Sequence, residues 1–442
     1  MTDRRHLRVV TDLESPPDLR HVRRRDVVVY RVRVDIDDAD PPIWRRLDLR
    51  SDIELDLLHQ VLQVAFDWTD SHLHRFSLGG GAFDRHSQLF LCPYDVDDTD
   101  FDDDGVPAAE TRLDETLSAT GDVLHYLYDY GDNWELTIRL EQMLPADNGG
   151  PAAVVVDGER AAPPEDCGHL VDADSLAEVL PDPALFEPER VNKAFGGAYF
   201  VLREAGVDAR LVDLVHQLSY TTHGDSLSEV ALTLASESPR LDAVDLPRYL
   251  RPVQWFLDRA KDGGISLTAA GYLKPADVEQ ASKVVPVMAD WIGKNNREAH
   301  CYPLLRFRES LQDLGLLRKA KGTLLLTKAG QAAQRDVTAL WEHLASRLIP
   351  KSGEKFQTQA ALLTLAYAAA SADAELPLGK IAALLTELGW RHGDGRSVTE
   401  SALRHLPVYE VLTNLTDQPV TWRRRDAISP AAAALARSAL SG

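Results

Sequence analysis

Leu124-His125-Tyr126-Leu127-Tyr128-Asp129-Tyr130-Gly131-Asp132-Asn133-Trp134-Glu135-Leu136-Thr137-Ile138 reads as a chain doubling back on itself. Residues 124–130 and 134–141 are rich in aromatic and branched side chains, and Gly131-Asp132-Asn133 between them has hairpin-turn chemistry. On this register Tyr130 faces Trp134 and Asp129 faces Glu135. Carboxylates placed directly opposite one another repel. The pair therefore calls for a cation, a neighbouring arginine, or a raised pKa that leaves one acid protonated.

Working outward, Val28, Tyr30, Val32, Val34 and Ile36 alternate with Val29, Arg31, Arg33 and Asp35, the pattern of a half-buried strand. Pro41-Pro42 ends it. Leu55, Leu58, Leu62 and Ala65 then recur at helical spacing, predicting an amphipathic helix over 54–66. A strand is predicted over 72–78, with glycines at 79–81 closing it and His72 and His74 on one face. Strand, helix, strand and hairpin in this order predict an α+β domain with a largely antiparallel sheet. A short helix near 174–180 follows, and a first domain boundary falls near residue 200.

If the 72–78 strand lies beside the hairpin, His72, His74, Asp129, Asp132 and Glu135 converge. That set suits a divalent transition metal such as Zn, Mn or Fe, or acid–base chemistry in a metal-dependent hydrolase. The competing reading is structural. Asp132 can accept backbone N–H bonds in its turn, while Arg45, Arg46, Arg75 or Arg139 can neutralise the acids.

Three segments together resemble the plasmid pRiA4b ORF-3-like family. They are Pro41-Pro42-Ile43-Trp44-Arg45-Arg46-Leu47, the Trp68…His72-Leu73-His74…Phe76 stretch, and Tyr128-Asp129-Tyr130-Gly131-Asp132-Asn133-Trp134-Glu135. The resemblance spans roughly residues 25–200, with Val191-Asn192 similar to the family's closing segment. It implies an α+β domain of bacterial and mobile-element proteins and brings no established reaction. One departure is visible. Where the family pattern has Cys-Pro-Pro-Glu-Asp, this chain has Ala162-Pro163-Pro164-Glu165-Asp166-Cys167-Gly168-His169, and Ala162 can neither ligate a metal nor act as a nucleophile.

The net charge of −21 is unevenly spread. Residues 35–240 hold 43 Asp/Glu against 13 Lys/Arg, whereas residues 241–442 hold 26 Lys/Arg against 21 Asp/Glu. The acidic half repels a phosphate backbone and the basic half does not. Within the acidic half, Asp100, Asp102, Asp104 and Gly105 stand at the first, third, fifth and sixth positions of a calcium loop. Thr111 occupies the twelfth, where a glutamate is required. A solvated acidic loop is the simpler reading.

Beyond a helical connector over 201–245, the pattern is mainly α. Leu304, Phe307, Leu311 and Leu314 predict a helix over 303–314 with Pro303 at its start. Strands over 316–319 and 323–327 flank Ala320-Lys321-Gly322, and one long helix over 328–348 follows. This order resembles the end of a winged helix-turn-helix, giving a winged-helix-like domain over 246–350 and a helical region over 351–442. In that reading Arg306 and Arg308 face a DNA major groove while Arg318, Lys319 and Lys321 meet phosphates. A surface for a protein partner is the alternative.

No apolar run approaches ~18 residues, which argues against a membrane span. Three scattered cysteines and an Arg-rich start without an apolar core predict a cytoplasmic protein. Walker, dinucleotide, Gly-x-Ser-x-Gly and His-Glu-x-x-His motifs are all absent from the sequence. The sequence thus predicts a binding protein engaging a protein, a small ligand or DNA, with the metal hydrolase or nuclease and a protein-interaction scaffold as alternatives.

Overall fold

The computed structural model describes residues 18–441 except 85, 98–104, 148–149, 237–240, 243 and 352–353. Asp100, Asp102 and Asp104 of the calcium-like loop lie outside the described residues. The chain divides into two compact units, Met1–Gly197 and Ala198–Gly442.

The first unit is built on one mixed sheet. Its elements are β1 (Val28–Ile36), β2 (Trp44–Arg50), α1 (Leu55–Ala65), β3 (His74–Leu78), β4 (Gln88–Leu91), α2 (Pro93–Asp97), β5 (Gly105–Pro107), β6 (Val123–Tyr128), β7 (Trp134–Pro145), β8 (Ala153–Glu159), α3 (Ala173–Val179) and α4 (Pro188–Phe195). The eight strands run in the order β5-β4-β3-β6-β7-β1-β2-β8, and every neighbouring pair except β4–β5 is antiparallel.

Alternation decides which face is dry. Tyr30, Val32 and Val34 of β1, Leu124 and Tyr126 of β6, and Trp134, Leu136 and Ile138 of β7 are all essentially buried. Each such side chain contributes roughly 1.5–3 kcal/mol on leaving water. α1 covers this face, since its His59 reaches Tyr126 at 2.7 Å. Arg45 of β2 also donates to the α1 carbonyl of Ala65 at 2.8 Å. The opposite face is laced by ion pairs such as Arg31–Asp48 and Arg46–Glu141, each at 2.7 Å.

The hairpin register differs from the sequence reading. Tyr128, not Tyr130, pairs with Trp134, and Glu135 pairs with Leu127. The connection is the five-residue turn 129–133, closed by a bond from the Asn133 amide to the Asp129 carbonyl at 2.6 Å. Asp129 and Asn133 both take left-handed backbone, at φ 56° and 60°. Asp and Asn tolerate that region because their short polar side chains bond locally. The repelling Asp129/Glu135 pair therefore does not exist.

The second unit is mainly helical. It comprises α5 (Ala198–Glu204), α6 (Ala209–Leu218), α7 (Gly224–Leu232), α8 (Leu246–Ala260), β9 (Ile265–Ser266), α9 (Pro275–Ala281), α10 (Tyr302–Asp313), β10 (Leu317–Ala320), β11 (Thr323–Leu326), α11 (Lys328–Arg335), α12 (Val337–Arg347), α13 (Lys355–Ala369), α14 (Leu378–Glu387), α15 (Glu400–Leu403), α16 (Pro407–Asn414) and α17 (Pro430–Leu440). Every residue from Gln359 to Ala369 of α13 is buried, as expected of a helix that is apolar on all sides. α6, α7, α14, α16 and α17 pack around it.

Three features depart from the sequence reading here. Residues 201–232 are not a linker, because Leu202, Val212, Leu218 and Leu227 enter the core of this unit. The helix predicted over 328–348 is two helices, broken where Asp336 caps α12 through the Thr338 amide at 2.8 Å. β9 has no counterpart among the strands predicted over 316–319 and 323–327. A three-stranded sheet, ordered β10-β11-β9, does contain the expected hairpin. Gly330 is required beside it, since a Cβ there would lie 2.1 Å from the Leu316 carbonyl oxygen.

Candidate metal centre

The five predicted ligands do not form one cluster. His72 lies just before β3, and only His74 is in the strand, facing inward. Two separate groups result, His59–Asp70–His74 and His72–Asp129–Asp166, each with ligand atoms within 4.8 Å of one another. Glu135 belongs to neither. It is exposed and accepts from the Asn133 side-chain amide at 3.0 Å. Asp132 accepts from the Gly168 amide at 2.9 Å, a structural bond.

The first group is closed. The Asp70 amide donates to Gln63 Oε1 at 2.9 Å, Gln63 Nε2 donates to Tyr126 Oη at 3.1 Å, and Tyr126 Oη lies 2.7 Å from His59 Nδ1. His59 Nε2 returns to Asp70 Oδ1 at 2.8 Å. A consistent proton assignment has Nε2–H donating to the carboxylate and Nδ1 accepting from the phenol. Gln60 holds the other Asp70 oxygen at 2.8 Å. The His74 ring stacks on His59 with centroids 3.4 Å apart and planes 7° apart. Ring lone pairs then point side by side, a poor arrangement for sharing one ion. Burial, and next the adjoining His59 imidazole, holds the His74 pKa well below 6.5.

The second group is open. His72 Nε2 is shielded from solvent and has no hydrogen-bond partner among the described residues. It faces Asp129 Oδ2 at 3.5 Å and Asp166 Oδ1 at 3.3 Å. Asp129 is buried, and its other oxygen accepts from the Gly131 and Asp132 amides at 3.0 and 3.3 Å, which fixes the carboxylate. Ligands on a tetrahedral shell with bonds of ~2.1 Å lie about 3.4 Å apart. Both separations from His72 Nε2 match that spacing.

Asp166 arrives on a strap, residues 163–169, laid over the hairpin end of the sheet. The Trp68 indole donates to the Pro163 carbonyl at 2.9 Å. Glu165 accepts from the Thr69 amide at 3.0 Å, from Thr69 Oγ1 at 2.5 Å, from Ser71 Oγ at 3.3 Å and from the Tyr128 hydroxyl. Burial alone would raise the Glu165 pKa, but the bonds from Thr69 and Tyr128 hold it below the usual carboxylate value. Burial, and then Glu165, pushes the Tyr128 phenol up. His169 stacks on Trp134 at 5.0 Å between centroids.

Three of the four arginines offered as neutralisers, Arg45, Arg46 and Arg75, are engaged elsewhere. Arg45 is buried, which pushes its pKa down to about 9, and bonds backbone carbonyls. Arg46 pairs with Glu141 and Asp157, and Arg75 with Asp95 and the Tyr130 hydroxyl. Sequence reasoning missed Asp166, Glu165, His59 and Asp70 as site residues. Asp166 stands in the segment where Ala162 replaces the family's cysteine. Ala162 indeed offers no donor, and neither group includes Cys167.

The DNA-contact residues of the second unit are also separated. Arg308 is a correction to the sequence reading: it is 3% exposed and bonds the buried Glu298 at 2.6 Å, so it cannot face a groove. α10, which carries Arg306, packs on α16. Arg306 itself sits 3.6 Å from Glu309. Arg318, Lys319 and Lys321 are exposed on the β10–β11 hairpin.

The first unit is thus an α+β domain in which a strapped hairpin end brings one histidine and two aspartates together. The chain belongs to the plasmid pRiA4b ORF-3-like protein family, whose profile matches residues 28–206. It is 34% identical over 158 residues to uncharacterized protein y4hQ of Sinorhizobium fredii (strain NBRC 101917 / NGR234), covering 35% of this chain and 75% of that one. It is also similar to the crystal structure of a protein of unknown function, MM3350, from Methanosarcina mazei Go1. That match has 26% identity, a TM-score of 0.31, and covers 37% of this chain and 96% of the other. Among the described residues, no helix is long and apolar enough to cross a membrane.

Proposed function

We propose that the N-terminal unit is a metal-dependent binding module holding one divalent transition ion through His72, Asp129 and Asp166. The observation that carries this is the shielded His72 Nε2, which has no hydrogen-bond partner among the described residues and faces two carboxylate oxygens at ligand-to-ligand spacing. The ion would clasp the strap to the sheet, because Asp166 is on the strap while His72 and Asp129 are not. With three protein donors, positions stay open for water or a partner's ligand.

Charge favours binding over phosphodiester hydrolysis. Asp129 and Asp166 already balance a divalent ion, and Asp132 and Glu165 beside them add negative potential that repels phosphate. Zinc titration of the metal-stripped full chain by calorimetry tests the reading. One equivalent should bind, and His72→Gln or Asp166→Asn should weaken affinity at least tenfold with folding intact. No binding, or binding unchanged in both variants, would overturn it.

For the second unit, helix α8, strand β9, helices α9 and α10, and the β10–β11 hairpin come in an order that supports a winged-helix reading of 246–350. Packing of α10 against α16 speaks against its insertion into a major groove. A protein-interaction scaffold predicts instead that a partner co-purifies with both metal-free and metal-loaded protein.

A further inference from the structure

Two adjoining cavities of about 490 and 550 Å³ run along α8, the β10–β11 hairpin and α11, sharing Gln334 and Arg335. Their walls carry four exposed cations, Arg251, Lys261, Arg318 and Arg335. None of these four takes part in an ion pair among the described residues. Two acids share the walls. Asp258 is occupied by the amides of Gln254 at 3.2 Å and Gln334 at 2.8 Å, which leaves Asp262 as the other. The groove thus has an excess of two positive charges in a chain of net charge −21.

We infer that this groove holds the sugar–phosphate backbone of a single-stranded nucleic acid. Three of the four cations are guanidinium groups, whose planar fork matches phosphate oxygens better than an ammonium does. The half-buried Trp255 in the same wall offers an indole face for base stacking. Stacking on Trp255 requires an unpaired base, which a single strand offers and a duplex does not. Arg318 is the one residue of the predicted phosphate-contact set that lines the groove, so contact is made beside the hairpin and not through α10.

Fluorescence anisotropy of the full-length protein with a labelled 20-nucleotide oligo(dT) tests this. Each phosphate contact on a single strand contributes a salt slope of about 0.7, so four contacts predict a roughly 50-fold loss of affinity between 50 and 200 mM salt. The double variant Arg251→Glu/Arg335→Glu should abolish binding, while Lys355→Glu, outside the groove, should leave it within twofold. Chelator should change nothing, which separates this result from the fate of the metal reading. No binding at 50 mM salt, undiminished binding by the double variant, or equal competition by duplex DNA or poly-glutamate would overturn the inference.

Discussion

The stacked His59–His74 pair makes the N-terminal unit acid-sensitive in a calculable way. The buried His74 imidazole is held well below pKa 6.5, so the folded chain does not take up the proton that the unfolded chain binds. A group with a lowered folded pKa contributes nothing at high pH, where both states are neutral. It costs stability once pH falls below the unfolded value. With an unfolded pKa of ~6.5, a folded ring that takes up no proton sets the ceiling, and lowering pH from 7.0 to 5.5 removes at most about 1.3 kcal/mol. His74→Phe keeps a ring stacked on His59 and removes the titration. Urea unfolding read by pulsed hydrogen exchange in β3 and β6 peptides measures the loss in the relevant unit. Wild type should lose more than His74→Phe over this interval, by up to about 1.3 kcal/mol. An identical pH dependence in the two proteins would refute the reasoning.

Further outcomes follow from the same geometry. Arg308→Leu strands the buried Glu298 carboxylate and should destabilise the second unit by about 3–5 kcal/mol in urea unfolding; adding Glu298→Gln should restore part of it. Glu165→Ala removes a partly solvent-facing acceptor that ties the strap to Thr69, Ser71 and Tyr128. Local stability of 163–169 should fall by about 1–2 kcal/mol, seen as roughly 5- to 30-fold faster amide exchange there with exchange in β1 unchanged.

Much of the scaffold is legible from periodicity. Tyr30, Val32 and Val34 announce β1, and Leu55, Leu58 and Leu62 announce α1, because burial on one face imposes a repeat of 2 or 3.6. Turn register is not legible in the same way. A three-residue turn at Gly131 and a five-residue turn closed by left-handed Asp129 and Asn133 use the same residue types, and a two-residue slip preserves the alternation of faces. The site was half visible. His72 and Asp129 lie in aromatic-rich segments that drew attention, but Asp166 lies in an aperiodic Pro/Gly-rich stretch placed only by tertiary bonds from Trp68, Thr69 and Tyr128. His59 sits on the stripe of α1, so its inward direction was readable, whereas its partners Asp70 and Tyr126 were not. Arg308 misled because helical spacing alone does not reveal that α10 is buried on both the α16 and Glu298 sides.

Anomalous diffraction at the zinc edge from crystals of the zinc-loaded protein interrogates the metal assignment most directly. A single peak within bonding distance, ~2.0–2.2 Å, of His72 Nε2, Asp129 Oδ2 and Asp166 Oδ1 is the predicted result. A peak seated between His59 and His74, or no peak in the N-terminal unit, would contradict it.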